Sequence, residues 1–273
     1  MSILKKAAVM GWPIEHSLSP KLHQYWLTTY KSEGSYEALA VEPEKLKEEV
    51  RALAQKGFAG VNLTVPHKEA ALKLVDRLDE AAIRVGAVNT IVVHADGTLE
   101  GRNTDVYGFM QNLLAAGTNV KNKIVVVLGA GGAARAAIVG LQDAGAKEIR
   151  LINRTSARAA LLAKEFGAPL KVFSWGDDAA LDGADLLINA TSLGLKGQPP
   201  LDIKLDHLPL SAVVTDMVYV PLETDLIKRA KARGHKTIDG LGMLLHQARP
   251  AFHAFFGVDP DVTLELRQHV LRS

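Results

Sequence analysis

The chain has 273 residues, of which 48% are hydrophobic and 23% are charged, values close to those of an ordinary globular protein. Lysine and arginine together number 32 and aspartate and glutamate 30, so the net charge of +2 provides no broad field for nucleic acid or an anionic membrane. Cysteine is absent, which excludes disulfide bonds, iron–sulfur clusters and thiolate-bound zinc, and the length suits one large or two modest domains.

The N-terminal stretch lacks a basic segment followed by an apolar run of signal length, and the longest apolar runs are strand-sized, so we expect a cytoplasmic protein without a membrane span. Strand and helix patterns then alternate through the first hundred residues, which predicts a mostly parallel sheet. Pro43 suits the start of a helix and Gly57 its end. The predicted strands span 7–11, 36–41, 60–65 and 87–93, and the predicted helices span 43–55 and 67–75.

A second alternating series follows residue 123 and is joined to the first by a predicted helix over 106–117. Its first strand, 124–128, is a run of valine, isoleucine and leucine, as expected of a strand that is covered on both faces. Pro250 predicts a kink or break in the helical C-terminal region. Further strands are predicted over 148–152, 186–189, 213–216 and 236–238, and helices over 133–144, 156–166, 222–233, 241–256 and 260–271.

A glycine-rich turn follows the strand 124–128 and matches the pattern G-x-G-x-x-[GA] between a strand and a helix. Gly129 permits a tight turn, Gly131 lets the backbone approach a pyrophosphate, and Ala134 allows close helix–strand contact. The helix N-terminus adds open N–H groups and the positive end of the helix dipole. The turn therefore favours dinucleotide binding over a merely tight connection. Its candidate cofactor residues are Gly129, Ala130, Gly131, Gly132 and Ala133.

The end of the next strand indicates which dinucleotide is bound. An NAD site commonly places an acid about 20 residues further on to hold the ribose 2′-hydroxyl, whereas this strand ends in Asn153, Arg154 and Thr155, with Arg158 beyond. Guanidinium groups bind phosphate through paired donors, so the turn favours NADP over NAD. The alternative is a solvated arginine pair with Thr155 or Ser156 capping the helix, and capping is compatible with phosphate binding.

Several blocks of the sequence together resemble the signature motifs of the shikimate dehydrogenase family. They occur in the family's order and span essentially the whole chain, and they are specific as a set although each is weak alone. The blocks are residues 17–20 (SLSP), 62–68 (NLTVPHK), 86–90 (GAVNT), 103–105 (NTD), 129–133 (GAGGA), 153–155 (NRT), 189–192 (NATS) and 239–244 (DGLGML), together with Gln247.

This resemblance implies the NADPH-dependent reduction of 3-dehydroshikimate to shikimate, a step of aromatic amino-acid biosynthesis. It also implies two α/β domains, a substrate-binding domain with a mostly parallel sheet and a Rossmann dinucleotide-binding domain, with the active site in the cleft between them. The substrate matches lie in 1–103 and 240–273 and the nucleotide matches in 104–239, so the first domain is discontinuous. The implied partner is a small-molecule substrate, with no nucleic acid and no membrane, and family members include monomers and homodimers.

Substrate-binding residues are carried over from the same blocks. Shikimate has one carboxylate and several hydroxyl groups, so it requires neutral donors and acceptors with few full charges. Ser17 and Ser19 match the family's carboxylate-binding pair, although the residues alone favour an ordinary turn in which Ser19 caps a helix. Asn62 and Thr64 alternate along one strand face, so both can point the same way. The implied substrate residues are Ser17, Ser19, Asn62, Thr64, Lys68, Asn89, Asp105, Tyr219 and Gln247, each of which could otherwise be a plain polar or core side chain.

Lys68 and Asp105 are the implied catalytic residues. Carbonyl reduction needs a hydride from the nicotinamide and a proton for the nascent alkoxide, and a lysine ammonium can donate that proton. A nearby carboxylate can orient the ammonium and share hydrogen bonds with the substrate hydroxyls. Without the resemblance, Lys68 would be interpreted as a solvated lysine and Asp105 as an acid favourable to a helix dipole.

Further cofactor residues are implied by the resemblance. Thr191 and Ser192 follow the strand 186–189 at the carboxyl edge, where ligands bind in open α/β sheets. Met217 and Gly240 match positions that line the nicotinamide. Glu80 matches a position near the cofactor and could equally be a solvated helical acid. The histidine spacings of seven, rather than four, give no reason to propose a metal site.

Two other interpretations stay open. A quinate/shikimate dehydrogenase with relaxed substrate and cofactor choice would be distinguished by comparing quinate with shikimate turnover. A non-catalytic sensor would keep a ligand pocket but would need neither Lys68 nor Asp105, and ligand binding without turnover would identify it.

Overall fold

The computed structural model describes residues 5–272, which form two compact α/β units. The first unit contains the described residues up to Asp105 and from Leu244 onward, and the second contains Val106–Met243. The sequence placed the corresponding boundaries after residues 103 and 239. The predicted architecture of two α/β domains is confirmed. No helix within residues 5–272 combines the length and the apolar character that a membrane crossing requires.

The helices, numbered in chain order, begin and end as follows. They are α1 Ser19–Thr29, α2 Leu46–Arg51, α3 Glu80–Val85, α4 Asp105–Ala115, α5 Gly132–Asp143, α6 Ser156–Phe166, α7 Asp225–Ala232, α8 Leu241–Phe256 and α9 Leu264–Leu271. Short 3-10 segments occur at Pro43–Lys45, Ala70–Lys73 and Asp178–Leu181.

The first unit is built on a six-stranded mixed sheet. Its strands are β1 Lys5–Gly11, β2 Gly34–Ala40, β3 Phe58–Leu63, β4 Arg77–Leu78, β5 Thr90–Val93 and β6 Leu99–Arg102. Their order across the sheet is β2-β1-β3-β5-β6-β4. β1 pairs in parallel with β2 and β3, and β4 pairs in parallel with β6, whereas β5 is antiparallel to β3 and β6.

Aromatic side chains from α1 and α8 form part of the core of this unit. Trp26 and Phe252 are buried with ring centroids 5.3 Å apart, and Phe255 is buried against β3. A Cβ atom at Gly60 would lie 2.3 Å from the Phe255 ring, so only glycine lets the ring approach the strand. Burying each such side chain stabilises the fold by about 1.5–3 kcal/mol before the entropy of ordering is counted.

The second unit is built on a parallel sheet. Its strands are β7 Ile124–Leu128, β8 Glu148–Ile152, β9 Leu170–Phe173, β10 Leu186–Asn189, β11 Val213–Asp216 and β12 Lys236–Ile238. The order is β12-β11-β10-β7-β8-β9, and the neighbouring strands pair in parallel. The chain order reverses between β7 and β10, and this is where open parallel sheets bind ligands at their carboxyl edge.

Alternate residues of β7 belong to two different hydrophobic clusters. Val125 and Val127 pack with Phe109 and Ile138 on one face, while Val126 and Leu128 pack with the residues of the other face. A strand that is covered on both faces needs apolar residues at every position. This double coverage explains why the run at 124–128 is continuous, and the prediction of this strand is confirmed.

The predicted helix over 67–75 is wrong. Only Ala70–Lys73 forms a short 3-10 segment. The carbonyl oxygen of Lys68 accepts the Val88 N–H at 2.8 Å, so it serves a neighbouring segment instead of continuing a helix.

Other predicted boundaries shift for identifiable reasons. The helices predicted from 222 and 260 begin later, at α7 and α9, because the side chains of Thr224 and Thr263 cap them. The helix predicted over 43–55 ends at Arg51, and the strand predicted over 87–93 begins at Thr90. Pro250 lies inside α8 without ending it. The short elements β4, β6, β9 and α3 were not predicted as separate elements.

Candidate active site

Lys68 and Asp105 form an ion pair within the first unit. Lys68 Nζ lies 2.5 Å from Asp105 Oδ2, and the lysine and aspartate side chains are 20% and 4% exposed. Lys68 lies in the segment after β3, and Asp105 is the first residue of α4. Charges this far out of water are costly unless they are paired and hydrogen-bonded. The pair therefore keeps a cation and an anion together while leaving part of the lysine accessible.

Asn89 and Asn103 fix the segment that carries Asp105. Asn89 Nδ2 donates to Asp105 Oδ1 at 2.8 Å and to Thr104 Oγ1 at 2.9 Å, and its Oδ1 accepts the Thr104 N–H at 2.8 Å. Asn103 accepts the Asp105 N–H at 3.0 Å and donates to the Ala87 carbonyl at 2.8 Å. Because both asparagines are buried, these bonds orient the carboxylate without adding charge.

Gln247 of α8 joins the same cluster. Its Oε1 lies 3.3 Å from Asn89 Nδ2 and 3.4 Å from Thr104 Oγ1, and its Nε2 donates to the Leu244 carbonyl at 3.0 Å. The structure thus brings four of the residues implied for substrate binding together, namely Lys68, Asn89, Asp105 and Gln247.

Asn62 is buried in β3 and its amide bonds within the protein. Its Nδ2 donates to Thr90 Oγ1 at 3.0 Å, and its Oδ1 accepts the Tyr36 hydroxyl at 2.7 Å. Thr64 lies just beyond the end of β3 and is half-buried. The two side chains therefore differ in accessibility, although they are two residues apart.

Ser17 and Ser19 lie where the chain enters α1. The Ser19 N–H donates to Ser17 Oγ at 3.3 Å, and Ser19 itself is 7% exposed. Leu18 occupies the N-cap position and Ser19 is the first helical residue. The alternative in which Ser19 caps the helix is therefore wrong.

The glycine turn between β7 and α5 has the geometry expected of a phosphate-binding turn. Gly129 has φ +110°, and a Cβ atom there would lie 2.9 Å from the Ala190 carbonyl oxygen. A Cβ atom at Gly131 would meet no other atom within 4 Å, so this side of the turn is open. The N-cap residue of α5 is Gly131, which has no side chain to cap the first N–H groups of the helix, so these groups are suited to binding an anion.

The turn between β8 and α6 presents two arginines to solvent. Arg154 and Arg158 are exposed, and neither is paired with a carboxylate of the described residues. Asn153 Nδ2 donates to the Thr155 carbonyl at 2.9 Å and shapes the turn. Thr155 occupies the N-cap position but makes no side-chain capping bond, so capping does not account for its hydroxyl.

A buried network joins the carboxyl ends of β10 and β11. Asn189 Nδ2 donates to Asp216 Oδ1 at 2.9 Å, and Asn189 Oδ1 accepts the N–H and the hydroxyl of Thr191. The Thr224 hydroxyl and the Val218 N–H also donate to Asp216. Burial raises the pKa of Asp216 to about 6 despite these bonds. The network fixes the segment that leads to the exposed Ser192.

The remaining implied residues differ in their surroundings. A Cβ atom at Gly240 would lie 2.4 Å from the Met217 carbonyl oxygen, so glycine lets these two segments of the second unit touch. Tyr219 is half-buried, and burial raises the pKa of its hydroxyl. Glu80 is exposed at the start of α3, which Asp79 caps.

Several buried polar residues of the two units were not predicted from the sequence. Tyr36 and Thr90 bond to Asn62, Asp216 holds Asn189, and His23 stacks on Tyr36. Tyr36 and His23 resemble ordinary core residues in the sequence. The sequence offers one clue to Tyr36, because a buried tyrosine usually has a hydrogen-bond partner for its hydroxyl.

Known protein families and an individual relative match both the N-terminal and the central parts of the chain. Residues 9–91 match the profile of the shikimate dehydrogenase substrate binding domain, and residues 112–195 match that of shikimate / quinate 5-dehydrogenase. Shikimate dehydrogenase (NADP(+)) of Paramagnetospirillum magneticum is 54% identical over 268 residues, covering 97% of each chain.

Two solved structures extend this similarity to the fold. Shikimate 5-dehydrogenase from Thermus thermophilus, in complex with NADP(H) and shikimate, is 39% identical with a TM-score of 0.89, covering 97% of this chain and 98% of that one. Quinate dehydrogenase from Corynebacterium glutamicum, in complex with NAD, is 32% identical with a TM-score of 0.89 and covers 98% of both chains.

Proposed function

The chain belongs to the shikimate dehydrogenase family and is an NADP-dependent oxidoreductase that interconverts 3-dehydroshikimate and shikimate, and we propose that Lys68 and Asp105 are its catalytic pair. The observation that carries this proposal is the close Lys68–Asp105 contact at the edge of a buried polar cluster. In the reduction, the carbonyl carbon accepts a hydride and the carbonyl oxygen accepts a proton. When NADPH is bound it supplies the hydride, so the protein must supply the proton.

Lys68 is suited to that proton transfer. An ammonium has three N–H groups, and within residues 5–272 the pair with Asp105 occupies one of them. The other two can meet a substrate oxygen, where the positive charge also stabilises the developing alkoxide. In the reduction Lys68 donates a proton to this oxygen, and in the reverse direction the neutral amine removes it.

Asp105 orients the lysine and compensates its charge. Asn89 donates to the carboxylate and the Asn103 side chain accepts the backbone N–H of Asp105, so Asp105 does not need to reorganise as the proton moves. Asp105 can also accept a hydrogen bond from a neighbouring substrate hydroxyl, because each carboxylate oxygen has more than one acceptor position.

The remaining substrate contacts follow from the chemistry of the ligand. Hydroxyl groups of Ser17 and Ser19 donate to the substrate carboxylate, as expected for an anion bound by neutral donors. The ring hydroxyls are bound by the other implied residues, which supply amide, hydroxyl or phenol groups. These residues are Asn62, Thr64, Asn89, Tyr219 and Gln247.

The cofactor residues are assigned by what each group can bind. The open turn 129–133 and the uncapped start of α5 suit the pyrophosphate, since a Cβ atom at Gly131 would occupy otherwise empty space. Arg154 and Arg158, with Asn153 and Thr155, suit the 2′-phosphate because no described carboxylate neutralises either guanidinium. The residues assigned to the remainder of the dinucleotide are Thr191, Ser192, Met217, Gly240 and Glu80.

Replacement of Lys68 by Ala tests the catalytic assignment. General acid–base catalysis contributes about 100- to 10,000-fold, so Lys68→Ala should lower kcat for shikimate oxidation by at least about 100-fold. The dissociation constant for NADP+ should not change, since Lys68 is not among the cofactor residues. Steady-state kinetics and calorimetry measure the two quantities.

Lys73→Ala is the matched control, because Lys73 is an exposed lysine of the same unit. It should keep kcat within about twofold of the parent. A Lys68→Ala enzyme with kcat close to that of the control would remove Lys68 from the mechanism. Substrate binding without turnover by the parent would instead favour the sensor interpretation.

We also propose that the enzyme acts in the cytoplasm as a monomer or homodimer. The small net charge and the local nature of the anion sites suit a small anionic substrate better than a polymer.

Sedimentation of the purified protein distinguishes the monomer from the homodimer. The rate of quinate turnover relative to shikimate turnover measures how broad the substrate range is.

A further inference from the structure

Asp216 is a buried carboxylate that accepts three hydrogen bonds. It is the last residue of β11 and is 1% exposed. Its Oδ1 accepts hydrogen bonds from Asn189 Nδ2 and from the Val218 N–H, each at 2.9 Å, and its Oδ2 accepts the Thr224 hydroxyl at 2.6 Å. A carboxylate only accepts hydrogen bonds, so ionised Asp216 matches all three donors at once. A neutral amide of the same size would present a donor of its own to part of this arrangement.

Asn189 is the fixed partner of Asp216 at the end of the neighbouring strand. The two residues are in register across β10 and β11. Asn189 Nδ2 donates one proton to Asp216 and the other to the Leu193 carbonyl at 3.1 Å. Its Oδ1 accepts the Thr191 N–H at 3.0 Å and the Thr191 hydroxyl at 2.7 Å. Both protons and both acceptor positions of the amide are in use, so Asn189 cannot turn without breaking hydrogen bonds.

The backbone of Met217 is held by both of these residues. Its N–H donates to the Asn189 carbonyl at 2.9 Å, and the next N–H, that of Val218, donates to the Asp216 carboxylate. A Cβ atom at Gly240 would lie 2.4 Å from the Met217 carbonyl oxygen, so this oxygen packs against the glycine. The carbonyl and the N–H of one trans peptide point in opposite directions. Gly240 and the Asp216 carboxylate therefore hold the peptide after Met217 from its two sides.

We propose that Asp216 is a positioning residue that places Met217 against the nicotinamide half of the bound dinucleotide. This inference rests on the proposed function, which assigns Met217 and Gly240 to the cofactor. Asp216 is itself buried and does not need to touch the cofactor. Loss of its charge should therefore weaken the binding of the nicotinamide half and leave the binding of the 2′-phosphate half unchanged.

Asp216→Asn keeps the size of the side chain and removes its charge. Whichever way the new amide is oriented, at least one buried donor loses its acceptor, so the arrangement of the parent is no longer the most stable one. Restoring it when the cofactor binds corresponds to about one charge-assisted hydrogen bond, so the Kd for NADP+ should rise about tenfold. Calorimetry at about pH 8 measures this Kd with Asp216 of the parent ionised, because burial raises the pKa of Asp216 only to about 6.

Adenosine 2′,5′-bisphosphate separates positioning from a general loss of structure. This compound carries the 2′-phosphate but no nicotinamide, so its Kd should stay within about twofold of the parent value in Asp216→Asn. A loss of folded protein would instead lower the number of binding sites for both ligands. Asp225→Asn is the matched control, because Asp225 is an exposed aspartate of the same unit that pairs with Arg229. It should keep both Kd values within about twofold.

A double-mutant cycle tests whether Asp216 acts through Met217. Met217→Ala alone should raise the Kd for NADP+ about tenfold, since the truncation removes an apolar side chain from the nicotinamide. In the Met217→Ala background, Asp216→Asn should then raise this Kd by less than about twofold.

Thr224 provides a second pair of variants in case Asp216→Asn does not fold. Thr224→Val removes the donor to Asp216 Oδ2 and frees the carboxylate to turn, so it should raise the Kd for NADP+ by at least about threefold. Thr224→Ser keeps the hydroxyl and should bind NADP+ as the parent does. Thr224 also caps α7, so thermal unfolding measures the loss of stability separately from the Kd.

The possible outcomes distinguish the inference from the proposed function. An unchanged Kd for NADP+ in a folded Asp216→Asn protein, or equal losses for NADP+ and for adenosine 2′,5′-bisphosphate, would overturn the inference and leave the proposed function intact. Equal effects of Asp216→Asn in both backgrounds of the cycle would do the same, as would equal Kd values for Thr224→Val and Thr224→Ser. If Met217→Ala alone leaves the Kd for NADP+ unchanged, the assignment of Met217 in the proposed function fails, and the inference fails with it.

Discussion

His23 should make folding of the first unit sensitive to acid. The residue has no exposed surface, neither of its ring nitrogens has a hydrogen-bond partner among residues 5–272, and its ring packs on Tyr36 and edge-on to Trp26. Burial of an imidazolium in these apolar surroundings lowers the pKa of His23 from 6.5 to about 3. We predict that His23→Phe, which keeps an aromatic ring in place, removes this sensitivity.

The size of the effect follows from the pKa of His23 in the two states. The folded-state pKa is below the unfolded value, so the stabilising contribution is present above pH 6.5 and is lost as the pH falls toward about 3. Between about pH 7 and about pH 4.5, the unfolded chain binds a proton at His23 that the folded chain does not. This difference lowers the free energy of unfolding by about 2.5 kcal/mol in the parent. Asp216, whose pKa is raised to about 6, has the opposite effect, because its protonation stabilises the folded state as the pH falls. Asp216 is present in both the parent and the His23→Phe variant, so its contribution cancels in the comparison.

Urea unfolding at the two pH values, followed by tryptophan fluorescence, measures this difference. Between the two pH values, the His23→Phe variant should lose about 2.5 kcal/mol less free energy of unfolding than the parent does. His253→Phe is the control, because His253 is exposed on α8 in the same unit. Equal losses in the parent and in His23→Phe would show that His23 is not the source of the acid sensitivity, even if overpacking changed the stability of the variant at both pH values.

Two further predictions concern the cofactor. Arg154→Ala should raise the KM for NADP+ by about 10- to 100-fold, because it removes charge-assisted bonds to the 2′-phosphate, and should leave turnover with NAD+ nearly unchanged; equal losses with both cofactors would contradict this. Gly129→Ala should lower the free energy of unfolding by about 1–3 kcal/mol, since φ is +110° and the new Cβ would lie 2.9 Å from the Ala190 carbonyl oxygen. Gly131→Ala, whose Cβ meets nothing within 4 Å, should fold as the parent does but bind NADP+ more weakly. Thermal unfolding measures the stability of both glycine variants, and calorimetry measures their dissociation constants for NADP+. A destabilised Gly131→Ala that binds NADP+ as the parent does would contradict the prediction.

The elements that the sequence predicted well are those with a strong local pattern. The apolar run at 124–128 and the glycine turn after it predict a buried strand and a tight connection from the local sequence alone. The missed strands are short and carry less of this pattern, and β4 has only two residues. The helix predicted over 67–75 was wrong because the Lys68 carbonyl bonds to Val88, and a contact between distant residues cannot be deduced from the local pattern.

Contacts between residues that are distant in sequence also determine the candidate site, and local patterns do not reveal them. Lys68 and Asp105 are far apart in sequence, and only the family resemblance suggested that they act together before the structure placed their side chains 2.5 Å apart. Tyr36 carries no motif of its own, because its hydrogen bond with Asn62 depends on the register of β1 with β2 and β3. The substrate and cofactor roles of the implied residues stay predictions until a ligand is bound.

A crystal structure of the enzyme with shikimate and NADP+ would show whether Lys68 and Asp105 act as the catalytic pair, through the distances from Lys68 Nζ and Asp105 to the substrate hydroxyl that is oxidised. We predict that this hydroxyl lies within hydrogen-bond distance of Lys68 Nζ, about 2.6–3.2 Å, with the Asp105 carboxylate bonded to the lysine or to a neighbouring hydroxyl. A bound substrate whose reacting hydroxyl is held by other groups, with Lys68 beyond the reach of even one bridging water, would contradict it.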